Sequence, residues 1–239
     1  MNSKIKLSII FDNNPFLKQL QTDWGFACLL EYGDTKILFD TGGDGKILLN
    51  NMRELNIDPK SIDVVFLSHY HHDHTGGLVE FLKVNSKVKV YFPQSFPLEL
   101  TEAIKNSGAV PYPISAFSKL LPDIYTLGEI EGVIPEQSLA IRSDKGIVII
   151  TGCAHPGIIN ILEKAKSHFP DEKIYLTLGG FHLHKLTEAE ISSTINKIYD
   201  FGIIKIAPTH CSGDIVRKMF IEKYKTNYIE VGVGKSIEI

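Results

Sequence analysis

Apolar and polar positions along this chain follow two periods, and the periods alternate in a regular order. Residues 4–11, "KIKLSIIF", predict a strand. Residues 26–42, "FACLLEYGDTKILFDTG", predict a hairpin in which two apolar runs flank Gly33-Asp34; a glycine at the first turn position suits a type II′ turn. "KILLNNMREL" (46–55) has helical spacing and ends near Asp58-Pro59. "DVVFLSH" (63–69) is β-branched and apolar, the composition of a strand covered on both faces. A short helix from "GLVEFLK", a strand over 87–92 and a helix over 98–108 stopped by Gly108 come next. Segment 109–137 is rich in Pro, Gly and Ser and reads as a loop across one face.

The second half repeats the scheme. Residues 138–152 predict another hairpin, and "GIINILEKAKSHF" (157–169) a helix whose Ile158, Ile161, Leu162, Ala165 and Phe169 share a face. A strand over 173–180 precedes a helix that opens with a capping box, Thr187 and Glu190 three residues later. Then follow a strand over 203–208, a helix over 215–225 and a last strand over 228–233. Both halves begin with strand-rich hairpins and continue in helix–strand alternation, with no linker between them. The pattern predicts one α/β domain over 1–239, two sheets sandwiched between helices.

Composition narrows the class. The chain has 239 residues, 44% of them hydrophobic, enough for a sizeable core. A formal net charge of −3 without a dense Lys/Arg tract argues against a nucleic-acid partner. Cys28, Cys153 and Cys211 are sparse and odd in number, which fits a reducing cytoplasm better than a disulfide framework. The first residues, "MNSKIKLSIIFDN", lack the length and cleavage site of a signal peptide, and no stretch is long enough to span a membrane.

The chemistry concentrates in "LSHYHHDHTGG" (67–77), where four of nine histidines and an aspartate occupy six positions. His69, His71, Asp73 and His74 offer imidazole and carboxylate ligands to zinc or a similar first-row ion. On an extended segment 69, 71 and 73 project to one side, and His74 turns inward as a helix begins at Thr75-Gly76-Gly77, whose glycines allow a tight turn. A solvated His-rich turn is the plain alternative, but such a turn does not sit between a buried strand and a Gly-Gly helix start.

"LFDTG" (38–42) followed by "LSHYHHDHTGGL" (67–78) resembles the metallo-β-lactamase superfamily, and "TGCAHPGIINIL" (151–162), "LGGFHL" (178–183) and "PTHCSG" (208–213) resemble its 7,8-dihydropterin-6-methyl-4-(β-D-ribofuranosyl)aminobenzene-5′-phosphate synthase-like subfamily. The resemblance implies a four-layer αββα sandwich with two divalent ions, zinc foremost and manganese or iron as alternatives. It gives His69 and His71 to the first ion, Asp73 and His74 to the second, and His210 to completing the second. Asp40 is expected behind the ligands, orienting one of them by hydrogen bonding. The sequence departs from the family in the middle. Residues 132–138, "GVIPEQS", hold no histidine, and the usual "TGD" reads Thr151-Gly152-Cys153. His155 is therefore assigned to the first ion. Cys153 is either a thiolate ligand or a small buried filler.

His182 and His184 share a face if extended; His182 is read as proton donor or ligand, His184 as substrate contact or surface residue. His72 and His168 read as structural or solvated. Trp24, Phe26 and Phe181 are candidate stacking surfaces for an aromatic substrate, with core packing the alternative. "VGVGKS" (231–236) is Gly-rich but lacks full phosphate-loop spacing.

Three functions fit. The first is hydrolysis of an ester or phosphoester by metal-activated water, with Asp73 orienting or deprotonating the nucleophile. The second, from the subfamily resemblance, is transfer: a dihydropterin methyl pyrophosphate joined to β-ribofuranosylaminobenzene 5′-phosphate with release of pyrophosphate. The third is a metal-binding sensor or scaffold without chemistry, whose coordination shell would be saturated. The expected partner is a small molecule, and oligomeric state is not encoded legibly.

Overall fold

The computed structural model describes residues 4–239, so Met1–Ser3, the start of the segment read above as lacking a signal peptide, lie outside the described residues. The chain divides into two compact units, Met1–Ser115 with Gly232–Ile239, and Ala116–Val231.

The first unit is a seven-stranded sheet. Its strands are β1 (Ile5–Asp12), β2 (Phe26–Tyr32), β3 (Thr35–Phe39), β4 (Val64–Phe66), β5 (Lys89–Pro93), β6 (Val110–Ile114) and, last in the chain-order numbering, β13 (Ser236–Glu238). Their spatial order is β13-β1-β2-β3-β4-β5-β6. β1, β2 and β3 run antiparallel, and β3 to β6 are parallel to their neighbours. Gly33 turns the hairpin at φ 58 while Asp34 keeps a negative φ, as the type II′ turn requires. Helices α1 (Gly45–Glu54), α2 (His72–Thr75), α3 (Leu78–Val84) and α4 (Leu98–Ser107) make the parallel crossovers. Asp44 caps α1 by accepting from the amides of Lys46 and Ile47. Leu48 and Met52 of α1, and Leu78, Phe81 and Leu82 of α3, pack on Leu38, Val65 and Val90 of the sheet.

The second unit is a six-stranded sheet. Its strands are β7 (Ser118–Leu121), β8 (Ile124–Thr126), β9 (Leu139–Ser143), β10 (Gly146–Thr151), β11 (Ile174–Gly180) and β12 (Lys205–Thr209), in the order β12-β11-β10-β9-β8-β7. β10, β11 and β12 are parallel, joined through α5 (Ile158–His168) and α6 (Glu188–Asp200); α7 (Asp214–Tyr224) follows β12. The capping box at Thr187 and Glu190 is present in both directions. Ile158, Ile161, Leu162 and Ala165 of α5 and Ile191, Ile195 and Ile198 of α6 join one core with Ile147 and Ile149 of β10.

Three sequence expectations are corrected. Segment 109–137 carries β6, β7 and β8 rather than a loop alone. β6 and β7 are the edge strands of their sheets, where proline is tolerated, and Pro111 and Pro113 lie in β6. Residues 228–233 form no strand but two isolated bridges, Ile206 with Tyr228 and Pro15 with Val233; the last strand is β13. β4 is three residues long, and Asp73 sits in the helical turn α2 instead of on an extended run.

Candidate metal-binding site

In the first unit, one buried carboxylate organises the histidines. Asp40 follows β3 in the left-handed region, φ 56, and is fully buried. Its Oδ1 accepts the amide of Ser68 at 2.7 Å, and its Oδ2 accepts the Ser68 hydroxyl at 2.7 Å. His74 Nδ1 meets the same Oδ2 at 2.7 Å. An ionised carboxylate only accepts, so His74 Nδ1 carries the proton and Nε2 the ligating lone pair. The Ser68 hydroxyl, having given its proton to Asp40, accepts from His69 Nδ1 at 2.9 Å. This sets His69 the same way, with its Nε2 lone pair turned to His71 Nδ1 at 3.2 Å. Two Zn–N bonds of about 2.1 Å at a near-tetrahedral angle place their nitrogens roughly 3.4 Å apart, so the pair fits a divalent cation. The His74 ring lies 4.1 Å from that of His69, and Asp73 Oδ2 lies 3.6 Å from His74 Nε2. Imidazole and carboxylate donors of this kind suit zinc, manganese or iron.

Backbone packing holds the loop. The Thr41 amide and hydroxyl both donate to the His74 carbonyl, at 2.8 and 2.9 Å. A Cβ on Gly77 would run into the Thr41 carbonyl oxygen, so the Gly-Gly pair serves close approach between these segments.

In the second unit the ligand candidates leave the carboxyl ends of three parallel strands. Thr151 of β10 is level with Gly179 of β11, and Gly179 with Pro208 of β12. Cys153 and His155 follow the first strand, His182 and His184 the second, His210 and Cys211 the third. Glu136, fully buried, grips the loop after β10 entirely through its donors. Its Oε1 accepts the Thr151 hydroxyl (2.9 Å) and the amides of Gly152 (2.9 Å), Cys153 (3.1 Å) and Ala154 (3.0 Å). Its Oε2 accepts the amide of His155 at 2.9 Å. Ala154, His182 and His210 are all left-handed, at φ 58, 50 and 49, a concentration of costly backbone at one sheet end. Ser212 Oγ accepts the Phe181 amide and donates to the Thr209 carbonyl, tying the ends of β11 and β12.

The imidazoles of His155 and His182 lie 4.6 Å apart, and those of His182 and His184 5.2 Å. His184 is exposed, with Nδ1 donating to the Cys211 carbonyl at 2.8 Å. Sγ of Cys153, a ring nitrogen of His182 and Sγ of Cys211 all lie within 4.8 Å of one another. Burial pushes the Cys211 thiol up, but hydrogen bonding with Cys153 and His182 and the nearby imidazole charges outweigh it, leaving the thiol well below its ordinary value.

The aromatic candidates separate. Trp24 is 52% exposed and offers a ring face. Phe26, the first residue of β2, and Phe181, just after β11, are buried and packed against Phe39 and Phe220; they present no stacking surface. His72 is exposed, and His168 stacks on Phe117 at 3.8 Å. Lys235 of the Gly-rich segment lies over Phe16. Glu136, Ser68 and Cys211 escaped the sequence reading. A charged residue amid the apolar run "VIPEQSLAI" was the available signal for Glu136.

The metallo-beta-lactamase superfamily model matches residues 25–143. A protein of Methanocaldococcus jannaschii named 7,8-dihydropterin-6-methyl-4-(beta-D-ribofuranosyl)-aminobenzene-5'-phosphate synthase is 33% identical, covering 95% of this chain and 92% of its own. The crystal structure of Tm1679, named a metal-dependent hydrolase of the beta-lactamase superfamily, superposes with a TM-score of 0.80 at 25% identity over 98% of this chain and 99% of that one. YhfI of Bacillus subtilis, a metallo-beta-lactamase fold protein, gives 0.68 at 15% identity over 99% and 100%, a likeness of fold alone. The fold class is α/β of the metallo-β-lactamase type. No helix among the described residues is long and apolar enough to cross a membrane.

Proposed function

Because the chain belongs to the metallo-β-lactamase superfamily, we propose that it is a metal-dependent enzyme, one domain over 1–239, that uses up to two divalent ions. His69, His71, Asp73 and His74 of the first unit, and His155 and His210 of the second, are assigned as ligands of divalent cations, with zinc the first choice. The observation that carries this reading is the bracing of His69 and His74 by Ser68 and Asp40, which fixes both tautomers for ligation. A cation held there supplies Lewis acidity and, from water, a nucleophile available near neutral pH.

The chain's own groups complete the chemistry. Asp73, 20% exposed beside His74, orients the nucleophile and accepts its proton. His182 is the proton donor to the leaving group. Trp24 supplies a stacking face and His184 a polar contact to a small-molecule substrate. The leading reaction is hydrolysis of an ester or phosphoester. The second reading, in which a dihydropterin methyl pyrophosphate is joined through its methylene carbon to an aminobenzene ribofuranosyl phosphate with release of pyrophosphate, is favoured by the 33% identity to the named synthase.

Metal quantification followed by assay of the holoprotein separates these readings. The panel is aryl phosphodiesters, phosphomonoesters, lactones, and the pterin and aminobenzene pair. Cleavage of esters supports hydrolysis, and product from the last pair alone supports transfer. Bound metal with no turnover on any of them leaves a sensor or scaffold. Asp73→Ala is expected to cost about 10³-fold in turnover and to lower the number of ions bound. Full activity of chelated protein would end the proposal.

A further inference from the structure

Cys211 has no role in the reaction just described, yet it stands beside two other soft or borderline ligands. Cys153, His182 and Cys211 lie two or three residues beyond one level of the parallel register, each just past the end of its own strand. Ligand-binding groups in open α/β sheets gather at these carboxyl ends. The two sulfurs and the imidazole nitrogen are mutually within 4.8 Å, and both cysteines are buried and outside any disulfide. Packing alone accounts poorly for the trio. Cys211 Sγ occupies space that exists only because residue 180 has no side chain: a Cβ there would come within 2.6 Å of the sulfur. His182 is held in the left-handed region, at a cost of order 1–3 kcal/mol for such a residue. Its Nδ1 is buried without a hydrogen-bond partner among the described residues.

We propose that Cys153, His182 and Cys211 form a site for a thiophilic cation such as Cu⁺, Zn²⁺ or Cd²⁺. Two thiolates and one imidazole are the donor set these ions prefer over carboxylate and water. Each thiol releases its proton on ligation, so the site binds the ion with two negative charges and one neutral ligand. The inference does not depend on whether the reaction is hydrolysis or transfer. It assigns Cys153 to a sulfur pair. It also commits a His182 nitrogen, so the filled site and proton donation by His182 exclude one another.

The test uses the full chain, stripped by chelation and given one equivalent of Cd²⁺ or Co²⁺. X-ray absorption of the Cd²⁺ form is expected to find two sulfur scatterers; one or none overturns the site. The Co²⁺ form is expected to show thiolate-to-cobalt charge-transfer absorption that Cys211→Ser cuts at least by half. His182→Ala is expected to weaken Cd²⁺ binding about tenfold or more. A band unchanged by Cys211→Ser and lost only in Cys153→Ser would place a lone thiolate among the imidazole and carboxylate ligands and refute the proposal. Should Cys211→Ser fail to fold, the scatterer count on the unaltered chain still decides.

Discussion

Asp40 in the first unit and Glu136 in the second are both fully buried carboxylates behind candidate ligands, and they grip different things. Asp40 holds side chains: the Ser68 hydroxyl and the His74 imidazole, with one backbone amide besides. Glu136 holds a loop by its main chain, four consecutive amides and one hydroxyl. The first arrangement controls which nitrogen of an imidazole carries a proton. The second controls where a whole peptide segment runs, and leaves the side chains of Cys153 and His155 to point where that path sends them. Orientation of ligands and orientation of backbone are thus handled by one carboxylate each.

The contrast predicts unequal consequences of removing them. Glu136→Ala deprives five donors, four of them buried, of their acceptor, at about 1–3 kcal/mol for each buried one left unsatisfied. The expected loss is about 5 kcal/mol or more, comparable with the whole stability of an ordinary domain, and visible as collapse of the cooperative denaturant transition. Glu136→Gln, which keeps one accepting oxygen, is expected to fold with roughly 2 kcal/mol lost. Asp40→Asn should behave differently. Asparagine tolerates the left-handed backbone at this position, so the melting temperature moves little, while inversion of the His74 hydrogen bond lowers metal affinity about 10- to 100-fold by calorimetric titration. If Asp40→Asn unfolds the chain as Glu136→Ala does, the distinction between the two carboxylates is broken.

Finer changes sharpen it. Ser68→Ala removes only the hydroxyl between Asp40 and His69, and about 1 kcal/mol is expected, read as a roughly fivefold fall in metal affinity with the fold intact. The smallest effect is that of His168, whose ring stacks on Phe117 away from either carboxylate. Burial and then the Lys164 charge push its pKa below the ordinary 6.5. The folded state therefore favours the neutral ring. Its contribution to stability is complete above pH 6.5 and is lost as acid takes the protein down through the lowered folded value. Denaturant midpoints measured from pH 7.5 downward should flatten in His168→Phe.

Local signals were legible in the sequence, and non-local ones were not. The II′ turn at Gly33, the capping box at Thr187 and the Gly108 stop each depend on a few adjacent residues, and all are present. Asp40 was legible because it belongs to "FDTG", one of the segments on which the family resemblance rests. Glu136 acts on amides that every non-proline residue possesses, so no residue type in Thr151–His155 announces it. β6, β7 and β8 were hidden for a related reason. Their pairing is set by β5 and β9, and edge strands admit the prolines that otherwise signal loops. The segment 228–233 has strand composition but finds only a single bridge to Ile206 and another from Val233 to Pro15. Around the histidines the ligand types were readable, whereas the turn of α2 that carries Asp73 was obscured by the assumption of extended backbone.

The prolines of β6 have an outcome beyond that strand's own pairing. The Val110 amide donates to the Val88 carbonyl and the Ile114 carbonyl accepts from Gln94, so residues 110, 112 and 114 face β5 and residues 111 and 113 face outward. Both outward positions are proline, which has no N–H to offer. A foreign strand approaching this rim meets carbonyls without alternating donors, and the sheet ends there instead of templating growth between molecules.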